Sequence, residues 1–292
     1  MRAAIITASD RNYFNLLADL IQSVRALPES QELDLCVLDV GLTNAQIEEL
    51  TPQVTRIEPA QWNLDFPQRG DCPGWFRAMT ERPFLPSYFP DYELLIWIDA
   101  DAWLCNWDAM RLLIHAGWRD GFAVVPELDR CYPRCYHAEP NITRALETAY
   151  AQCFGAKAAE NYSLRPQANC GVFAMQRDRP YWSIWGELVA QGLSRSIHRM
   201  VEQCALNIAI YTGRIPATFL PSWCNWIVAS SVPMLDAEKA ELRVPMVPHE
   251  HISVCHLVDV KDQLLNVTCT DGSKRQMPLT FRAVRAASGN ET

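Results

Sequence analysis

No apolar run in the 292-residue chain is long enough to span a bilayer, because Asp, Arg, Asn or Glu interrupts every candidate. A transmembrane segment is therefore not expected. The first ten residues, Met1 to Asp10, hold too short an apolar core for a secretory signal, and they read as a first strand. Positive charge is also scarce: Lys and Arg number 26 against 34 Asp and Glu, a formal net charge of −8. A nucleic-acid polymer needs a basic face, so binding to one is not expected. A nucleotide diphosphate is not excluded, because a metal and one or two basic side chains can converge on it locally.

A disulfide framework is missing as well. The eleven cysteines are odd in number and scattered through apolar stretches such as Leu35-Cys36-Val37 and Val254-Cys255-His256. They read as free thiols buried as small hydrophobes, which implies a reducing, cytoplasmic setting. Cys131, Cys135 and Cys153 form the one suggestive group, and their spacing is not that of a zinc site. There is no repeat, low-complexity tract or linker. One domain over residues 1–292 is expected, in two halves (1–105 and 106–270) with a C-terminal tail (271–292).

What is present is an ordinary globular composition, 49% apolar and 21% charged. Ala3 to Ala8 reads as a strand, and Ser9-Asp10 as a cap for a helix in which Phe14, Leu17, Leu20, Ile21 and Val24 recur at helical spacing. A strand at 33–40, a helix capped by Thr43 and a strand at 54–57 follow. This alternation predicts an α/β fold with a mostly parallel central sheet flanked by helices. Later strands are expected at 122–125, 171–175 and 252–258, and helices at 142–154, 181–193 and 202–211. The stretch 127–166, rich in Cys, Tyr, Pro and His, reads as an insertion flanking a site.

Glu93 to Ile98 is nearly continuous in apolar character, as a strand buried on both faces would be. It stops abruptly at Asp99-Ala100-Asp101. Ligands of open α/β sheets gather outside the carboxyl ends of strands. Two carboxylates one residue apart at such a place can turn towards a hard divalent cation, manganese or magnesium, that keeps positions open for phosphate oxygens. The same pair could also be an ordinary surface turn.

At this point the chain resembles the glycosyltransferases of the GT-A (Rossmann-like) fold, and most closely family eight, the glycogenin and lipo-oligosaccharide galactosyltransferase group. Six motifs appear in the family's order between residue 3 and about residue 261. Thr7-Ala8-Ser9-Asp10-Arg11-Asn12-Tyr13 resembles the segment that cradles the nucleotide base, which implies Ala8, Asp10 and Tyr13 as donor contacts. Arg82, opening Arg-Pro-Phe-Leu-Pro-Ser-Tyr-Phe-Pro, resembles the arginine that reaches the donor. Ile98-Asp99-Ala100-Asp101 resembles the metal motif, with Ala100 at the donor. Asn169-Cys170-Gly171-Val172 resembles the lining of the sugar pocket, and Glu202-Gln203-Cys204-Ala205-Leu206-Asn207 a helix start at the reacting sugar. His256-Leu257-Val258 resembles the strand end that supplies a third metal ligand beside Asp99 and Asp101.

The resemblance implies transfer of a sugar from a nucleotide-sugar donor, a UDP-sugar above all, to a glycan, lipid-linked or protein acceptor. It also implies retention of anomeric configuration, with Gln203 beside the anomeric carbon and Glu202 on donor hydroxyls. An amide is a poor nucleophile, which favours same-face attack over a covalent intermediate. The chain departs from the family after the histidine. Asp259 and Asp262 stand where a glycine and a lysine are usual, and Lys261 lies one place early as the candidate phosphate contact. A sugar nucleotidyltransferase would show a glycine-rich basic loop where Ser9-Asp10-Arg11-Asn12 stands. A non-catalytic sugar-binding relative is the other alternative, and the altered segment after His256 is the feature in its favour.

Overall fold

The computed structural model describes residues 2–136 and 140–287. Positions 137–139 of the expected insertion and 288–292 of the tail lie outside the described residues. In chain order the elements are β1 (Ala3–Asp10), α1 (Phe14–Arg25), β2 (Asp34–Gly41), α2 (Asn44–Leu50), β3 (Arg56–Pro59), α3 (Arg77–Thr80), α4 (Leu85–Tyr88), β4 (Leu94–Ile98), β5 (Ala102–Leu104), α5 (Asp108–Asp120), β6 (Phe122–Pro126), α6 (Pro140–Phe154) and α7 (Ala156–Tyr162). There follow β7 (Ala168–Gln176), α8 (Tyr181–Leu193), α9 (Val201–Tyr211), β8 (Thr218–Phe219), β9 (Trp226–Ile227), β10 (Met234–Asp236), β11 (Glu241–Arg243), β12 (Val254–His256), β13 (Leu265–Thr268), β14 (Lys274–Met277) and α10 (Phe281–Ala287). None of the described helices is long and apolar enough to cross a membrane.

Seven strands form the central sheet in the order β3-β2-β1-β4-β7-β6-β8. All neighbours run parallel except β7, which is antiparallel to both β4 and β6. The alternation of side chains along each strand sends Ile6, Leu38, Trp97 and Phe173 to one face and Ile5, Val37, Ile96 and Val172 to the other. The first face packs on α8 and α9 through Trp185, Val189, Ala205 and Leu206. The second packs on α1 and α5 through Leu17, Leu20, Leu113 and Met110. Each fully buried leucine of this kind contributes roughly 1.5–3 kcal/mol. The expected α/β architecture with a mostly parallel sheet and helices on both sides is therefore the one observed.

Several boundaries differ from the expectation. Ser9 and Asp10 do not cap α1, whose N-cap is Tyr13. Asp10 instead closes the turn before the helix, its Oδ1 accepting from the Asn12 and Tyr13 amides at 3.0 and 3.1 Å. The third strand sits two residues later than expected, at Arg56–Pro59. The seventh is longer, Ala168–Gln176, and antiparallel. The late strand contracts to Val254–His256 and leaves the central sheet, pairing with β5 and β9 in a separate three-stranded sheet. Thr43 does cap α2, with Gln46 completing the reciprocal box.

The strand order reverses between β1 and β4, with β2 and β3 on one side and the later strands on the other. A crevice opens where crossovers leave such a switch point in opposite directions. Asp10 ends β1 and Asp99 follows β4, so the fold places both at that crevice.

Candidate active site

A cleft of about 570 Å³ lies at the carboxyl ends of β1 and β4, and the candidate metal, donor and sugar residues read from the sequence line it, whereas Cys131, Cys135, Cys153 and Asp262 do not. Its size suits a compact organic ligand rather than a polymer groove. Ala8, Asp10 and Tyr13 come to it from the end of β1, Asp99, Ala100 and Asp101 from the end of β4, Asn169 and Gly171 from β7, and Glu202 and Gln203 from α9. His256, Lys261 and Arg82 line it as well.

The acid pair is placed by register. Ile98 pairs with Val172, and the Asp99 amide donates to the Gly171 carbonyl at 2.8 Å. A turn closed by the Ala102 amide on the Asp99 carbonyl then sends the chain into β5. There Ala102 lies opposite His256, and the Leu257 amide donates to the Asp101 carbonyl at 2.8 Å. A residue more than 150 positions away in sequence is thereby fixed beside the carboxylates. One ligand atom each from Asp99, Asp101 and His256 can be chosen with all three within 4.8 Å of one another.

The donor set fits a divalent cation, and one buried atom points to it. His256 is 1% exposed, and its Nε2 has no hydrogen-bond partner. That nitrogen lies 3.3 Å from Asp101 Oδ1 and 3.8 Å from Asp99 Oδ2, without hydrogen-bond geometry to either. Burial lowers the His256 pKa, yet Asp101 and Asp99 outweigh it for a net rise. Burial likewise raises that of Asp101, and His256 outweighs it for a net fall.

The other ring nitrogen is fixed by a chain of hydrogen bonds that starts at the backbone. The Gly171 amide donates to Asn169 Oδ1 at 2.8 Å, which makes that atom the amide oxygen. The group of Asn225 that donates to the same oxygen at 2.9 Å must then be its NH2. Asn225 Oδ1 consequently faces His256 Nδ1 at 2.8 Å and accepts its proton. With Nδ1 protonated, Nε2 is the nitrogen that faces Asp99 and Asp101, and once it has lost its proton it can give its lone pair to a cation. Gly171 is required by the same crowding, since a Cβ there would stand 2.3 Å from His256 Cε1 and 2.9 Å from Asp99 Oδ2.

Arg82 is buried, and its fork is fully engaged. It donates to Asp99 Oδ1 at 2.6 Å, to Glu202 Oε1 at 2.5 Å and to the Cys170 carbonyl at 3.0 Å, and it lies 4.7 Å over the Trp97 ring. Burial opposes its charge, but Asp99 and Glu202 outweigh that and hold it protonated. Glu202 is 2% exposed, and burial pushes its carboxyl up in spite of Arg82. Arg82 therefore links Asp99 to Glu202. Trp97 adds an indole N–H to Asp99 Oδ1 at 2.7 Å.

Gln203 opens α9 with both ends of its amide used. Its oxygen accepts from the Cys170 amide at 3.3 Å, and its nitrogen donates to Glu127 Oε1 at 3.2 Å. Glu127 also accepts from Asn169 at 2.9 Å and pairs with Arg134 at 2.7 Å. Lys261 binds the Tyr13 hydroxyl and sits 4.0 Å over its ring. Asp259, at the place of the usual glycine, adopts φ 60°, a left-handed backbone that Asp tolerates better than most residues.

Glu127, Arg134, Asn225 and Arg199 were not singled out from the sequence. Glu127 follows β6, which runs parallel to β4, and the strand-end rule that found Asp99 would have found it too. Asn225, in Cys224-Asn225-Trp226, carries no comparable signal. The cysteines are free thiols, and the one cluster of metal-ligating side chains among the described residues is Asp99, Asp101 and His256.

No protein-family model matches the chain, and no curated protein matches it either. Solved structures do. The galactosyltransferase LgtC, in complex with donor and acceptor sugar analogues, matches with a TM-score of 0.57 at 15% identity over 99% of this chain and 96% of that one. An active-site mutant of LgtC gives a TM-score of 0.52 at 13% identity over 87% and 86%. The bifunctional glycosyltransferase WbbM gives 0.52 at 16% identity over 78% of this chain, which spans 40% of that longer protein. At these identities the likeness is one of fold, and the fold is that of the GT-A glycosyltransferases, resembling members of family eight.

Proposed function

We propose that the chain is a metal-dependent glycosyltransferase that takes a sugar from a nucleotide-sugar donor, a UDP-sugar above all, with retention of configuration. The observation that carries this reading is the buried His256 Nε2 facing Asp99 and Asp101, 3.8 and 3.3 Å away, at the switch point of the sheet. A histidine of the core alone would not be expected to stand between two carboxylates at the carboxyl ends of strands. The eleven free thiols accord with a cytoplasmic setting. A sugar nucleotidyltransferase has no comparable support, and Ser9-Asp10-Arg11-Asn12 forms no glycine-rich cradle.

Asp99, Asp101 and His256 would hold a divalent cation, manganese or magnesium, which when bound would supply Lewis-acid stabilisation of the departing diphosphate. Lys261, half-buried at the same cleft, adds positive charge. Arg82 orients Asp99 and Glu202 rather than reaching out, because its donors are committed to them. Glu202 and Asn169 define the sugar side of the cleft, and Gln203 is held rigid by Cys170 and Glu127 to position and shield the anomeric carbon. Same-face attack then lets the departing phosphate take the acceptor proton.

The reading is tested by a panel of nucleotide sugars screened by thermal shift with and without manganese. One of them should stabilise the protein in a manganese-dependent way and be consumed on addition of an acceptor or water. Starting from an α-linked donor, proton NMR should show an α-linked product. Gln203→Ala should slow transfer while leaving UDP affinity nearly unchanged. A β-linked product would discard retention.

A further inference from the structure

Four cations face the cleft among the described residues, and they are not equivalent. The Arg82 side chain is 7% exposed and held by Asp99 and Glu202. That of Arg134 is 15% exposed and held by Glu127. Neither can turn to a ligand without stranding a buried carboxylate. Lys261 meets a neutral hydroxyl. Arg199 is 63% exposed and meets a single carboxylate oxygen, Asp259 Oδ1, at 3.2 Å, on a residue itself 59% exposed.

A pair that open to water is held weakly and exchanges its partner readily. Its two members stand at telling places. Asp259 lies three residues beyond His256, and Arg199 lies three before Glu202 and four before Gln203. Their contact joins the segment that carries the third metal-site residue to the loop that enters the sugar-side helix. A diphosphate entering here meets the carboxylates of Asp99, Asp101 and Asp259, so it needs cations that are free to face it. A guanidinium offers phosphate oxygens two parallel donors, which the Asp259 contact leaves largely unused.

We propose that Arg199 is a phosphate-binding residue of this cleft, parked on Asp259 until the diphosphate of the donor displaces that carboxylate. The proposal rests on the nucleotide-sugar reading of the site. On it, Arg199 and Lys261 together do the work of a phosphate clamp, and Asp259 keeps the guanidinium at the mouth of the cleft when no nucleotide is there.

The test is calorimetric titration of UDP, with manganese present, into the wild type and four variants of the full chain. Arg199→Ala should weaken UDP binding by about tenfold or more, with an unchanged melting temperature because the side chain is exposed. Arg199→Lys should recover part of the loss. Arg195→Ala removes a cation from the same loop that lies beside Gly155, outside the cleft, and should bind UDP as the wild type does. Asp259→Asn, which keeps the left-handed backbone accessible, should bind UDP at least as tightly as the wild type. Wild-type affinity in Arg199→Ala would overturn the proposal. So would an equal loss in Arg195→Ala, which would mark a general charge effect, or in Asp259→Asn, which would mark a structural clasp. A wild type that binds no UDP with manganese would overturn the nucleotide-sugar reading and this inference with it.

Discussion

His256 Nδ1 donates to Asn225 Oδ1 at 2.8 Å, and by that bond the opposite nitrogen of the ring is left to face Asp99 and Asp101. Asn225 never reaches the cleft; it is 2% exposed. Its effect on the site passes through the imidazole and through the Asn169 amide, to which it donates at 2.9 Å. Asn225→Ala is expected to weaken manganese binding by about 10–100-fold, the usual cost of losing such a supporting partner. Titration with manganese alone, without nucleotide, reads this directly. Unchanged manganese affinity would mean that the ring orientation is set by packing.

Gly171 is the meeting point of both halves of that arrangement. Gly171→Ala would press a Cβ to 2.3 Å from His256 Cε1 and 2.8 Å from Asn169 Oδ1. The imidazole and the Asn169 amide cannot both stay where they are. A loss of about 1–3 kcal/mol of stability is expected from the overpacking, together with a loss of manganese binding. Denaturant unfolding and metal titration on the same sample check both parts.

Much of this was legible in the sequence because the signals are local. The run Leu94 to Ile98 is buried throughout, and its abrupt end in two acids marks the floor of the cleft. The helical spacing of Phe14 to Val24 located α1, and Thr43 as a cap located α2, for the same reason. The orientation of β7 was not legible, since an apolar strand reads the same in either direction. Helix α5 was not anticipated, though its face of Ala109, Met110, Leu113 and Ala116 is buried. The role of Arg82 also lay out of reach: a lone arginine gives no hint that Asp99 and Glu202, 120 residues along, will close on it. Asn225 and Arg199 join the site only through pairings that tertiary structure creates.

Arg82 itself carries a stability prediction. Both of its carboxylate partners are largely withdrawn from water, Glu202 at 3% and Asp99 at 22% side-chain exposure. Arg82→Ala strands a buried charge at Glu202 and is expected to cost about 3–5 kcal/mol. Arg82→Ala combined with Glu202→Gln should recover a substantial part of that loss, because the stranded charge is then gone. Denaturant midpoints of the single and double variants measure the recovery. No recovery would place the cost in lost packing against Trp97 instead.

The metal site is the centre of the functional reading, and isothermal calorimetry of UDP with manganese and with chelator, on the wild type and on Asp101→Asn, tests it most directly. The wild type should bind UDP tightly only when manganese is present. Asp101→Asn should lose that dependence and most of the affinity while keeping a wild-type melting temperature in the absence of metal, since an amide fills the same space as the carboxylate. UDP affinity that is the same with manganese and with chelator, or the same in the wild type and Asp101→Asn, would contradict the assignment of Asp99, Asp101 and His256 as the cation site.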